Sequence, residues 1–437
     1  MKDGFSKLSK EEKIKWINET FFNSNSQNLN LIKKYWNEDK TLQKIHDEFA
    51  ENTVSNFYLP LGVAPNFIID NKNYTIPMVI EESSVVAAAS KAGKYWSKRG
   101  GFKSTIINTI KTGQVHFKFN GSSKKIKTFF ISTKKKILDS CTEITRNMKK
   151  RGGGIIDLEI IDKTDLIKNY FQIDAKFKTA DSMGANFINS CLEQISKTFK
   201  SEFDKSNSFN KDEKLNIVMS ILSNYTPECI VKVELRSKID DLKNKDISEP
   251  KKFAEKFVEA VEIAENDISR AVTHNKGIMN GIDSVVIATG NDFRATEAGI
   301  HAYASKDGSY SSLTHAKLED NELIYWIEIP ISVGTVGGII NLHPIVKWCL
   351  NLLQNPSSKE LMSIIGAAGL AQNFSAIKSL ITSGIQAGHM KMHLTNILNS
   401  MNANEIEKIK IKDYFTSKMV SYSSVKTALD KFRNNEL

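Results

Sequence analysis

The chain has 437 residues, 41% hydrophobic and 25% charged, with a formal net charge of +10. That length exceeds a usual single core, so two or more domains are expected from an otherwise ordinary globular composition. No stretch reaches the roughly 18 consecutive apolar residues that span a bilayer, and Met1 to Lys15 lacks the apolar core of a signal peptide, so a cytoplasmic protein is expected.

Residues 1–50 read as short polar helices, Lys10 to Phe22 and Leu42 to Phe49. A mixed turn and strand segment follows at 51–64, then a strand from Tyr74 to Ile80. That strand passes through Glu81-Glu82-Ser83-Ser84 into Val85-Val86-Ala87-Ala88-Ala89-Ser90, a buried helix start that Ser83 or Ser84 can cap. Residues 112–236 form a separate unit. It reads as a strand at 115–119, a helix at 134–149, strands at 155–161 and 167–176, a helix at 183–203 and a closing strand at 229–235. An additional helix is expected at 211–225. The order βαββαβ is ferredoxin-like.

The chain then returns to a larger helical body. Pro250 to Met279 is one long helical pattern, Ser284 to Ala288 an apolar strand and Ile324 to Ile331 another. After the glycine-rich Gly334-Thr335-Val336-Gly337-Gly338, Glu360 to Ile385 is helical, with small residues suited to close packing. Met390 to Leu437 is polar, lysine-rich and marginally helical, as expected of a mobile C-terminal element. The expected organisation is an α+β chain: a large domain in two parts, 1–111 and 237–380, a unit inserted at 112–236, and a C-terminal flap at 381–437.

The cysteines Cys141, Cys191, Cys229 and Cys349 form no CxxC pair, which argues for reduced thiols and against a disulfide framework. The positive charge is spread among Glu and Asp along nearly every polar segment, as on a solvated surface rather than a nucleic-acid groove. The densest polar cluster in an apolar setting is Thr273 to Asp283, where Lys276 and Asn280 share a helix face. Asp292 follows in Gly290-Asn291-Asp292, and a buried Lys276–Asp292 pair could be catalytic or structural. Glu82, between an apolar strand and an apolar helix, is expected to be poorly solvated and so fit for acid catalysis. An acid there also offsets a helix macrodipole.

His389 and His393 have zinc-like spacing without the HExxH glutamate or a further ligand, so no metal is expected. His389 reads better as a proton donor, and His343 as structural. GxGxxG and P-loop motifs are absent. Asp181-Ser182-Met183-Gly184-Ala185-Asn186 instead opens a helix whose N–H groups could meet a pyrophosphate.

Together these segments resemble the soluble, bacterial-type (class II) hydroxymethylglutaryl-coenzyme A reductases. The resemblance is carried by ENTVSNFYLPLGVA at 51–64, EESSVVAAAS at 81–90 and DSMGAN at 181–186. It continues in THNKGIMNGIDSVVIATGNDFRATEAGIHAYA at 273–304, GTVGGIINLHP at 334–344 and GIQAGHMKMH at 384–393, all in family order. It implies catalytic roles for Glu82, Lys276, Asp292 and His389, substrate contacts at Ser84, Arg270 and Asn280, and cofactor contacts at Asp181, Met183, Gly184 and Asn186. Departures at Ser83 (usually proline), Ser55 (often glycine) and the serine of DSMGAN touch no catalytic position.

The implied fold is a large, mostly helical CoA-binding body with an inserted ferredoxin-like NAD(P)-binding domain and a helical flap. The implied ligands are hydroxymethylglutaryl-CoA (HMG-CoA), mevalonate, CoA and NADPH or NADH, with no metal, nucleic acid or membrane. Lys149-Lys150-Arg151 before Gly152-Gly153-Gly154 favours NADPH through its 2′-phosphate, although a solvated basic helix end reads the same. The resemblance further implies a homodimer with interfacial active sites that can assemble further. Two rivals are an inactive binding homologue and a basic nucleic-acid-binding protein, the latter requiring surface aromatics on the inserted sheet, with Phe117, Phe119 and Phe171 as candidates.

Overall fold

The computed structural model describes residues 3–382, 394–416, 418, 420–434 and 436 of an α+β chain. Three short helices come first: α1 (Lys10–Phe21), opened by a Ser9–Glu12 capping box, α2 (Ser26–Lys34) and α3 (Lys40–Asp47). The hairpin of β1 (Leu61–Ile69) and β2 (Lys72–Val79) turns on Asp70 and Asn71, whose φ values of 48° and 67° suit a two-residue turn. α4 (Val85–Ser97) and the short β3 (Lys103–Ile106) follow.

The chain then builds a small unit from β4 (Lys111–Phe119), α5 (Ser123–Ser140), α6 (Thr142–Lys150), β5 (Gly154–Asp162), β6 (Tyr170–Lys178), α7 (Ala185–Lys205) and β7 (Leu215–Leu222). Its sheet is antiparallel with order β5-β6-β4-β7, the ferredoxin-like arrangement. The closing strand is Leu215–Leu222, where a helix was expected, and the chain leaves this sheet short of the expected limit at 236. β7 lies at the sheet edge, where one half of its side chains stays exposed, so its apolar content imitates an amphipathic helix. Phe117, Phe119 and Phe171 are buried in this unit's core with Phe199 and Phe203, so they offer no surface for stacking bases.

The segment expected to close that sheet belongs elsewhere. β8 (Ile230–Lys238) lies in the second four-stranded sheet, of order β3-β8-β10-β9, with β9 (Thr314–Glu319) and β10 (Glu322–Pro330). On it pack α8 (Pro250–Asn266), α10 (Phe293–Tyr303) and α12 (Ser358–Ile381), while α9 (Ile268–Ala288) lies against α12 and β2, and α11 (Pro344–Leu352) against β2 and α9. The expected single helix at 250–279 is two, because Asp267 leaves helical geometry and caps α9 through the Arg270 N–H at 2.6 Å. The expected strand at Ser284 to Ala288 is the end of α9; a run buried on every side carries no helical period to read.

α12 is long and apolar enough to cross a membrane by length and composition, but it runs through the body's core against α9, α4 and β8. The segment after 393 is more structured than expected. Its helices bury Leu398, Ile411, Val425 and Leu429 in a small core of their own, with Arg433 and Glu407 paired at 2.7 Å.

α9 and α12 approach closely through glycines. A Cβ at Gly281 would lie 2.5 Å from the Ala368 carbonyl oxygen, and one at Gly369 2.8 Å from Ile282. Gly281→Ala should therefore lower stability by about 1–3 kcal/mol. Gly277→Ala, four residues away, meets nothing closer than Asn373 at 4.0 Å and should raise it by up to about 1 kcal/mol through helix propensity. Shifts of opposite sign in the urea midpoint of unfolding would verify the contrast.

Candidate active site

Glu82 sits in the turn that joins the end of β2 to α4, and α9 lies against β2. Lys276, on α9, donates from Nζ to Glu82 Oε2 at 2.5 Å, and Asn280, one turn on, donates from Nδ2 to the same oxygen at 3.4 Å. The expected shared face of Lys276 and Asn280 is therefore used to grip one carboxylate oxygen. The Lys276 and Glu82 side chains remain 59% and 37% exposed, so Glu82 is less shielded than its sequence neighbours suggested. An ion pair this open is worth at most about 1 kcal/mol of stability. Its significance lies in placing an ammonium and a carboxylate, each with free donor or acceptor capacity, side by side.

Ser84 occupies the N-cap position of α4 with a left-handed φ of 75°, and its side chain makes no capping bond. The capping expected of it is absent because that backbone geometry turns it away from the helix's first N–H groups. Arg270 sits in the first turn of α9, about 9 Å along the axis from Lys276. Among the described residues no carboxylate pairs with its guanidinium, and partial burial pulls its pKa down. A half-buried arginine without a counter-ion is suited to bind a ligand carboxylate.

The opposite face of α9 is held by a buried polar network that sequence reasoning did not assign. His274 Nε2 meets Thr314 Oγ1 at 2.6 Å, and the Thr314 hydroxyl donates to Asn373 Oδ1 at 3.2 Å. Asn373 also accepts from the Tyr325 hydroxyl and donates to the His274 carbonyl at 3.2 Å. Asn275 donates to Ser311 O at 2.8 Å and accepts from Leu313 N at 3.0 Å. Burial first, then Arg270 and His315, pushes the His274 pKa down to about 3, so the ring is neutral. The signal was present in the His274-Asn275 pair inside an apolar helix, but its partners lie on distant elements.

Asp292 caps α10, accepting from Ala295 N at 3.1 Å, and pairs with Arg294 at 3.3 Å. Within the chain Lys276 therefore pairs with Glu82 rather than with Asp292 as expected. The neighbouring Asn291 is bound both ways to Gly334, donating to its carbonyl at 3.0 Å and accepting from its N–H at 2.8 Å. His389 and His393 lie outside the described residues. His343 occupies the N-cap position of α11 without a side-chain capping bond and stacks on Phe49 at 5.4 Å, as a structural residue would.

The Asp181–Asn186 segment opens α7. Gly184 has a φ of 92°, and a Cβ there would strike Thr179. α7 has no side-chain cap, which leaves its first N–H groups for an anion. The Asp181 carboxylate accepts from Ser358 N at 2.8 Å and its carbonyl from Thr335 N at 2.8 Å. It joins the small unit to the body. Lys149, Lys150 and Arg151 are exposed at the end of α6.

A profile of the hydroxymethylglutaryl-coenzyme A reductase family matches residues 9–394. The 3-hydroxy-3-methylglutaryl-coenzyme A reductase of Archaeoglobus fulgidus is 34% identical over 413 residues, covering 93% of this chain and 89% of its own. The probable reductase of Borreliella burgdorferi is 33% identical, over 84% and 83%. The reductase structure from Streptococcus pneumoniae superposes with a TM-score of 0.73 at 34% identity, covering 99% of both chains. Another from that organism, class II and bound to NADPH in open conformations, gives 0.72 at 35% identity, over 87% of this chain and 99% of its own.

One acid near the site was missed from sequence. Asp283, on α9, faces Glu297 on α10, and burial followed by that second carboxyl raises its pKa to about 8. Its Oδ1 is buried with no hydrogen-bond partner among the described residues. A folded-state pKa above the ordinary 3.8 means that stability falls as pH rises between about 4 and 8. Asp283→Asn removes that loss. It should raise the melting temperature at pH 8 and change it much less at pH 5, as scanning calorimetry at the two pH values would record.

Proposed function

The chain belongs to the hydroxymethylglutaryl-coenzyme A reductase family, on its class II branch, and we propose that Glu82, Lys276, Asp292 and His389 carry its two-step reduction of HMG-CoA to mevalonate and free CoA. The observation that carries this reading is the Lys276–Glu82–Asn280 cluster, with the half-buried Arg270 on the same helix. NAD(P)H supplies one hydride in each step, two equivalents in all. The residues fit such a cofactor: α7 starts without a side-chain cap, and Gly184 allows the tight turn before it.

Arg270 holds the substrate's free carboxylate, leaving the thioester carbonyl to reach Lys276. A new C–H bond at that carbon converts the carbonyl oxygen to an oxyanion, which the Lys276 ammonium stabilises. Lys276 has three N–H donors and uses one on Glu82, so the others remain for the oxyanion. The hemithioacetal collapses by C–S cleavage, and His389 protonates the departing CoA thiolate. The aldehyde left behind is reduced at the same carbon, and Glu82 protonates its alkoxide to give mevalonate. Asp292 supports the charge on Lys276 once substrate is bound.

Several finer features belong to the same proposal. NADPH is favoured over NADH, on the exposed Lys149-Lys150-Arg151 run and the NADPH-bound relative. The working form is a cytoplasmic homodimer. An exposed apolar run at Phe57, Tyr58, Leu59, Leu61 and Val63, with Phe57 89% exposed, suits burial by a second copy. The small unit from β4 to β7 carries the cofactor, the body on either side of it the CoA substrate, and 381–437 act as the flap that opens for cofactor exchange.

Absorbance at 340 nm with HMG-CoA and each cofactor tests the reading. NADPH should be oxidised faster than NADH, and Lys276→Ala should lose about 10²–10³-fold in kcat. A folded protein that oxidises neither cofactor would overturn it in favour of an inactive homologue.

A further inference from the structure

The Lys111 side chain, at the start of β4, is buried with 5% exposure, and among the described residues no carboxylate pairs with it. Its Nζ donates to Thr179 Oγ1 at 2.8 Å, to Ser182 O at 2.9 Å and to Met183 O at 2.8 Å, which uses all three N–H donors of an ammonium. These acceptors belong to the loop that leads into α7. Thr179 itself donates to Ser182 O at 2.7 Å, and Ser182 Oγ donates back to Thr179 O at 2.8 Å.

On its outer side the loop is tied to the body. Thr335 N and Ser358 N bind Asp181, Ser358 Oγ binds Ala180 O at 3.2 Å, and Ser182 bridges to Val336. The loop thus has its carbonyls satisfied from one side by Lys111 and from the other by the body. What it leaves open are the N–H groups of α7 and the cleft lined by Lys111, Met183, Ala185, Thr296 and Ser332.

A buried cation without a counter-ion is costly, and burial accordingly lowers the Lys111 pKa to about 8. Its neighbours Ile188, Leu222 and Pro330 in the cleft are apolar, so the charge is desolvated there, and a neutral donor could serve the same three oxygens at less cost. The charge is explained by a negative ligand close by, which neither the strand nor the core requires.

We infer that Lys111 is a positioning residue for the dinucleotide: it holds the 179–183 loop in the shape that presents the start of α7, and it sets a positive charge beneath the phosphates. The inference rests on the reading that residues 181–186 receive NAD(P)H. It separates Lys111 from the substrate machinery on α9, so its effect falls on one ligand alone.

The experiment uses the full-length protein and compares Lys111→Met, which keeps length and loses charge, with Asn186→Ala at the start of α7. NADPH affinity is read by fluorescence titration, and kcat and KM for HMG-CoA by turnover. Lys111→Met should weaken NADPH binding roughly tenfold, while KM for HMG-CoA stays within about twofold. If Asn186→Ala weakens NADPH binding and Lys111→Met does not, the inference is wrong and the loop's cofactor role stands. If neither variant moves NADPH affinity, the cofactor reading of the loop falls and takes the inference with it. Equal losses for both ligands would mark a general structural role and overturn it as well. Should Lys111→Met fail to fold, Thr179→Val removes one acceptor while leaving the ammonium. It should weaken NADPH binding a few-fold, and unchanged affinity would overturn the inference.

Discussion

The rotation of α9 about its own axis is the constraint on which the proposed catalytic arrangement depends. A helix that carries Lys276 and Asn280 toward Glu82 is useful only if it cannot roll. Two different kinds of contact prevent that. Gly281 and Gly369 bring α9 and α12 into backbone contact, where a shift of a few tenths of an ångström meets hard atoms. His274 and Asn275 then tie the buried face to Thr314, Ser311 and Asn373, with Tyr325 closing the network. Hydrogen bonds in a dry interior fix angle as well as distance, because any roll leaves polar groups unpaired. The His274 ring, neutral through burial, contributes direction to that network without adding charge.

That fixed helix explains why an exposed ion pair is meaningful here. Most lysines on such a surface sample many rotamers, and their pairs contribute little. Lys276 rises from a rigid helix toward Glu82, which is presented by a turn at the end of a strand that the same helix packs against. Both partners are thus positioned from the body's core, and their exposure leaves room for a substrate. The preorganisation is in the scaffold, and the pair needs little stability of its own.

Much of this was legible in the sequence, and the misses have physical reasons. The inserted βαββαβ order could be read because its strands alternate and its helices are amphipathic, but its last strand was assigned one segment too late. Leu215–Leu222 is an edge strand, and Ile230–Lys238 is a better-looking strand that happens to pair with β10 in another sheet. Pairing partners are a long-range property that no local pattern encodes. The same limit hid the partners of His274, Lys111 and Asp283. The residues were visible, but Thr314, Ser182 and Glu297 came beside them only through folding. Lys276 with Glu82 shows the converse. Both were recognised by residue type and setting, yet their direct contact was not foreseen, because a charge pair was sought between nearer neighbours in sequence.

The two units meet at one knot of backbone, and its composition bears on how hydride transfer can be timed. Gly334 N and O are both bound by Asn291, the residue before Asp292, while Thr335 N binds Asp181 O in the loop that leads to α7. Gly334 cannot be replaced there, since a Cβ would collide with Met183 N and Ser182 C. A reaction that joins a thioester on the body to a dinucleotide on the small unit needs the distance between them held to a fraction of an ångström. The Asn291 amide holds both polar groups of Gly334, the Thr335–Asp181 backbone bond ties on the second loop, and the glycine lets the two approach without a side chain between them. The knot therefore makes the proposed cofactor loop and the loop bearing Asp292 parts of one rigid piece. Movement needed to exchange the cofactor must then occur elsewhere, which is what a separate C-terminal element with its own small core can provide.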